Sequence, residues 1–255
     1  MTYFDRLENR YVLKCKLNSK EGLHIGTGIS GTNTDAPFIT MNGKPFIPGS
    51  SLRGILRSTA ERLLDTLWPG VQCVNFGNTE GCSSGEADAT ELETAVNTGQ
   101  AKFCDVCQFF GSTNLAARFK IGDAVAENEK APVRRDGVGI DRDTETARDQ
   151  IKYDFEVLEA GVDFEFTMQI ENAGPSDKAI LYLLLCEMKN GIDVGGKRSR
   201  GLGRVGLTGF TVEYFDQAPG SGFTLRDYLT AGKLAAKGAQ NFDVELKQAF
   251  QAYRR

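Results

Sequence analysis

Four cysteines, Cys73, Cys82, Cys104 and Cys107, follow one another as C-x8-C-x21-C-x2-C. A C-x2-C pair clips a metal ion with short reach, and two further thiolates close a tetrahedral Zn2+ site. The surrounding stretch is rich in Gly, Ser and Thr and poor in long apolar runs. A structural zinc ion would therefore supply stability that a missing local core cannot. The first spacing is long for a zinc ribbon, so free thiols stand as the alternative. Cys15 and Cys186 fall on the apolar faces of a predicted strand and a predicted helix, where core thiols are expected. The sequence holds one histidine, His24. Mechanisms that need two imidazoles as acid and base are excluded, and in LHIG, beside a strand end, a structural role is expected for it.

Two segments could hold phosphates. In IPGSSLRGILRS a Pro-Gly-Ser-Ser helix start offers free N–H groups and the hydroxyls of Ser50 and Ser51 to an anion. Arg53 and Arg57 lie one helical turn apart on the same face. In VGGKRSRGLGRVG, Lys197, Arg198, Arg200 and Arg204 stand among glycines with no carboxylate. Glycines admit a close ligand, and the basic side chains can meet several phosphates. Each segment alone is equally a capped helix or a solvated basic turn. Asp35 lies in TNTDAPFI, where its composition alone reads as a turn former.

These residues must be carried by a scaffold of 255 residues, 40% hydrophobic and 25% charged, with a net charge of −4. That balance suits a globular chain of one elaborated domain or two small ones and gives no global attraction to nucleic acid, so any such site must come from local clustering. No apolar run approaches the ~20 residues that span a bilayer, and the first residues lack a signal-peptide core, so a cytoplasmic location is expected. A first strand is predicted around Val12, Cys15 and Leu17, and a hairpin turn at Asn42-Gly43. Leu52, Ile55, Leu56, Ala60, Leu63, Leu64 and Leu67 predict an amphipathic helix that begins at the serines and stops at Pro69-Gly70. Residues 71–118 read as a cysteine-bearing insertion and 120–152 as a long polar hairpin-like excursion. Alternation returns with Phe164, Phe166, Met168 and Ile170. A helix through Ile180, Leu183, Leu184 and Met188, a last core strand in GRVGLTGFTVEYF, and an edge segment over 216–255 complete the chain. Two β-α-β halves in this order predict an α+β, ferredoxin-like fold.

LHIGTGISGTNTDAPFI, FIPGSSLRGILRS, GVGIDRDTETARDQIKYDFEVLEAG and VGGKRSRGLGRVG together, and in this order, resemble the motifs of the RAMP superfamily. The resemblance is to the backbone subunit of type III CRISPR effector complexes, and it covers roughly residues 10–215. It implies copies stacked as a filament on a guide RNA, with a ferredoxin-like palm. A thumb hairpin, residues 132–151, would wedge between nucleotides and carry Arg142 to the RNA. Ser50, Ser51, Arg53, Arg57, Lys197, Arg198 and Arg200 would bind the guide. Asp35 matches the position of the family's target-cutting aspartate. Metal-binding cysteines after the first helix also agree with the family.

The function implied is a guide-RNA-binding subunit that cuts the paired target RNA at regular intervals, as a metal-dependent endoribonuclease within the assembled complex. Mg2+ or a similar ion would assist Asp35. Partners would be guide and target RNA, further copies of the subunit and the other effector subunits, with no membrane. An inactive backbone subunit and a guide-processing ribonuclease using His24 are the rival readings.

Overall fold

The computed structural model describes residues 6–31, 34–69, 82, 103–113 and 115–253. Its centre is β1 (Asn9–Ser19), whose alternation buries Tyr11, Leu13, Cys15 and Leu17 and turns Lys14 and Lys16 to solvent. Val12 falls on the opposite side, half-buried, because a strand turns every second residue the other way. The next elements are β2 (Thr40–Met41) and β3 (Lys44–Ile47). Asn42 and Gly43 join them with φ of 51° and 78°, the left-handed pair a two-residue hairpin turn requires.

Helix α1 (Gly49–Leu67) buries Leu52, Leu56, Ala60 and Leu64 at the predicted spacing. Each buried leucine contributes roughly 1.5–3 kcal/mol relative to an exposed one. Its N-cap is Pro48 rather than a serine; the carboxylate of Asp123 reaches over and accepts from the Gly49 N–H at 2.7 Å. A short helix, α2 (Asp105–Phe110), follows the cysteine region. Phe109 and Phe110 are fully buried; Phe109 stacks on Phe119 with ring centres 4.8 Å apart, and Phe110 meets it edge-on at 5.4 Å. The end of the segment read as an insertion is thus part of the core.

Strands β4 (Phe119–Ile121) and β5 (Ala124–Ala126) both pair with β8 (Asp163–Glu171). The predicted excursion therefore begins later, with β6 (Val133–Ile140) and β7 (Ala147–Val157), which form their own two-stranded antiparallel sheet. Helix α3 (Pro175–Asn190), the two-residue β9 (Ile192–Asp193), a 3-10 turn at Arg198–Arg200 and β10 (Arg204–Asp216) follow. The edge is closed by α4 (Leu225–Ala231), β11 (Ala235–Lys237) and α5 (Ala239–Ala252).

In the main sheet β1 lies between β10 and β8, antiparallel to both, and the path runs β11-β10-β1-β8-β5-β3-β2. One core joins the buried face of this sheet to α1, α2, α3 and α5. It contains Phe164, Phe166, Met168 and Ile170 on β8, as the alternation requires. The opposite face carries ion pairs such as Lys14–Glu213 at 2.6 Å and Arg10–Glu171 at 2.6 Å. Within the core the ion pair Arg118–Asp177, 2.8 Å, is almost fully buried; burial pushes the Asp177 carboxyl up despite Arg118 beside it. Asp177 also accepts from the Gly174 N–H at 2.9 Å at the start of α3. Among the described residues no helix is long and apolar enough to cross a membrane.

Candidate functional seam and metal site

Three segments far apart in the chain meet beside the root of the β6–β7 hairpin. Beneath the meeting point lies a satellite core of Phe155, Val157 and Leu202, against which Ala36 and Tyr153 pack. It ties together the loop before β2, strand β7 and the glycine-rich loop. Apolar contact at the base is what allows the polar groups above it to keep fixed positions.

The loop runs alongside β7. Ala36 bridges Phe155 in parallel, and the Glu156 N–H donates to the Ala36 carbonyl at 3.0 Å. The Phe38 N–H donates to the Glu156 carboxylate at 2.7 Å. Asp35 stands exposed at this edge and Asp154 faces it. The Asp35 N–H donates to Asp154 Oδ1 at 2.6 Å, and the Asp154 N–H donates to Asp35 Oδ2 at 3.0 Å. The Asp35 N–H and the charges of Arg134, with which it forms an ion pair, and Lys152 hold the Asp154 carboxyl below its usual range.

The glycine loop closes the seam from the other side. Gly195 has φ of 77°, and the Gly196 N–H donates to the His24 carbonyl at 2.8 Å. Lys197 Nζ sits over the rings of Tyr153 and Phe155, at 4.7 and 4.2 Å from their centres. Arg200 donates to the Tyr153 hydroxyl at 2.6 Å. Arg198 is exposed, whereas Arg204 pairs with Asp193 at 3.2 Å and donates to the Asn190 carbonyl. His24 is buried; its Nδ1 lies 2.7 Å from the Glu156 carbonyl, which can only accept, so Nδ1 carries the proton. Its ring meets the Phe155 ring edge-on at 5.3 Å.

Asp35, Lys197 and Arg200 are therefore held at one seam, with His24 packed behind them and Arg198 exposed on the same loop. Arg142 lies at the hairpin tip, exposed in a turn that Asp141 closes by accepting from the N–H groups of Asp143 and Thr144. Ser50 is exposed at the start of α1. Arg53 and Arg57 are half-buried and occupied elsewhere: Arg53 donates to the Phe110 carbonyl, and Arg57 to the Gly111 carbonyl at 2.8 Å and to Glu61. Both cap the C-terminal end of α2, where free carbonyls attract cations. Arg134, Tyr153, Asp154 and Phe155 were missed from the sequence. YDFEVLEAG alternates like any core strand, and nothing in that pattern reveals a partner across the seam.

The second site is the cysteine cluster. The sulfurs of Cys82, Cys104 and Cys107 lie within 4.8 Å of one another. The Cys104 N–H points at Cys82 Sγ (3.2 Å) and the Cys107 N–H at Cys104 Sγ (3.4 Å). Arg57 reaches Cys107 Sγ at 3.5 Å. Donors directed at sulfur favour thiolates, the form that binds metal, so the group can hold a metal ion such as zinc. Cys73, the expected fourth ligand, lies outside the described residues. Of the two expected core thiols, Cys15 is buried and Cys186 half-buried.

At the seam the described residues offer the exposed Asp35 carboxylate as a hard oxygen donor, while both oxygens of Asp154 are engaged, by the Asp35 N–H and by Arg134.

A search among curated proteins finds no match to this chain. A family model described as the RAMP superfamily matches residues 16–206, from the middle of β1 into β10 and across every segment of the seam. On that span the chain belongs to the RAMP superfamily, consistent with a RAMP protein of CRISPR-Cas systems.

Proposed function

We propose that the chain is a guide-RNA-binding backbone subunit of a type III CRISPR effector complex, and that it cuts the paired target RNA with Asp35. One observation carries this reading. The loop with Asp35, the root of the hairpin and the basic glycine loop meet at one seam, so an RNA strand following the cations passes an exposed carboxylate.

The strand order supports a ferredoxin-like palm. Counting β1, β5, β8 and β10 as the four core strands, their order across the sheet is fourth, first, third, second, with α1 and α3 as connections. The free-standing β6–β7 pair would be the thumb that splays a nucleotide, with Arg142 at its tip. Lys197, Arg198 and Arg200 would meet guide phosphates from one side, and Ser50 and Ser51 from the start of α1. Arg53 and Arg57, held by α2, would act on the RNA by placing that helix start.

In the cutting step the 2′-oxygen of the splayed nucleotide attacks the adjacent phosphorus as the P–O5′ bond breaks. The 2′-hydroxyl proton passes to Asp35 or to a water that it orients, and the 5′-oxygen takes a proton from solvent. The products are a 2′,3′-cyclic phosphate and a 5′-hydroxyl. A divalent ion, when bound there, would neutralise phosphate charge. Much of the rate would come from holding the attacking and leaving oxygens in line. The buried, hydrogen-bonded His24 supplies no general base in this scheme.

The test is a labelled target RNA incubated with assembled wild-type and Asp35→Ala complexes. The expected result is a regularly spaced ladder from wild type, and none from the variant at unchanged target affinity. Equal ladders would assign the chemistry to another group. No ladder from wild type, with tight target binding, would favour an inactive backbone.

A further inference from the structure

Asp35 and Asp154 form a closed ring of two side chains and two main-chain amides. Each residue's N–H donates to the other's carboxylate, at 2.6 and 3.0 Å. This fixes Asp35 Oδ2 and leaves Asp35 Oδ1 with no protein partner among the described residues. The neighbouring Ala36–Phe155 bridge and the Glu156 N–H bond to Ala36 already hold the loop by main-chain contacts. The side-chain ring adds something further, at one residue only. Asp154 is itself braced by the ion pair to Arg134 on the facing strand. Only 12% of its side chain is exposed, whereas Arg134 is 55% exposed. Asp154 thus stands behind Asp35 and is poorly placed to touch a substrate itself.

We propose that Asp154 is a positioning residue: its main-chain N–H directs the Asp35 carboxylate, and its own carboxylate, braced by Arg134, anchors the Asp35 main chain that carries it. This rests on the reading of Asp35 as the cutting group. Attack geometry is steep in position, so a carboxylate carried on a main chain that has lost this anchor loses rate without losing RNA affinity. Because the hairpin carries both Asp154 and Arg134, the same element that would splay the nucleotide would also aim the group that acts on it.

The test measures single-turnover cutting of labelled target RNA by the assembled complex at saturating target, together with target affinity and melting temperature. Asp154→Ala is expected to cut about 10²-fold more slowly, the cost of a small misplacement, with affinity within about twofold. Asp154→Asn keeps an oxygen that accepts from the Asp35 N–H, so it should recover most of that loss. Arg134→Gln removes the brace, together with the looser 3.6 Å pair to Asp136, and should slow cutting a few-fold. The pH profile of the residual Asp154→Ala activity should keep the wild-type shape, because the reacting groups are unchanged. Asp154→Ala cutting at the wild-type rate would overturn the proposal, as would Asn as inactive as Ala. Loss of target binding in a folded Asp154→Ala complex would also overturn it. Should Asp154→Ala fail to assemble, Asn and Arg134→Gln decide: a dead Asn or an unaffected Gln rejects positioning. Asp35→Ala that still cuts rejects the reading of Asp35 itself, whereas a dead Asp35→Ala beside a normal Asp154→Ala rejects only the role of Asp154.

Discussion

Replacing Gly195 by alanine tests what holds the basic loop against the seam. Gly195 has φ of 77°, where an alanine costs roughly 1–2 kcal/mol. A Cβ there would also overlap the His24 carbonyl oxygen and lie 3.0 Å from Ile25 Cγ1. Neither is the free end of a flexible side chain, so the loop must retreat. Retreat stretches the 2.8 Å bond from the Gly196 N–H to His24, worth about 1 kcal/mol, and lifts Lys197 from its two rings, worth roughly 0.5–1 kcal/mol. Alanine gives back a fraction of this by stiffening the unfolded chain. A net loss of roughly 2–4 kcal/mol should lower the melting temperature by about 5–15 °C in a chain of this size. Gly201→Ala is the control: its φ is 73°, but a Cβ there meets nothing within 4 Å. It should cost the conformational strain alone, roughly 1–2 kcal/mol. Calorimetric melting of the three proteins separates the two contributions. Equal shifts for both variants would refute the claim that the His24 strand end fixes the loop.

Two further outcomes follow from the thiols. Purified chain is expected to carry one zinc ion, and Cys104→Ser to lose it and melt at lower temperature, while Cys15→Ser keeps its metal; elemental analysis and melting curves decide. Burial pushes the Cys15 thiol from 9.0 up to about 12. Between those values the unfolded chain has released this proton and the folded chain has not, so stability should fall as pH rises from about 9 to 12, by roughly 1.4 kcal/mol per pH unit. Urea titrations over that range should show the fall in wild type and a shallower one in Cys15→Ala.

The parts of the fold that the sequence revealed are those whose pattern repeats over several turns or residues. Helix α1, strand β8 and the Asn42-Gly43 turn each satisfy a local rule that their neighbours do not contradict. Strands β4 and β5 escaped because three residues are too few to alternate, and a polar stretch surrounds them. Phe109 and Phe110 were hidden among the cysteines, where composition suggested an exposed insertion. The cysteine cluster was legible because C-x2-C is a contiguous signal. Asp154 was not, because its meaning depends on Asp35, 119 residues earlier in the chain. Likewise Arg53 and Arg57 look like free cations until α2 presents its carbonyls to them.

The central place of β1 has a consequence for how the chain is made. Its residues pair with 163–171 on one side and with 205–216 on the other, so its first segment waits for the last core strand. At about 5–20 residues per second on the ribosome, roughly 10–40 s pass before both edges are covered. During that interval Tyr11, Leu13 and Leu17 belong to a strand with open hydrogen-bonding edges, a template for pairing with other chains. Lys14 and Lys16, alternating with them, place charge on the other face of that strand and oppose stacking until the downstream strands arrive.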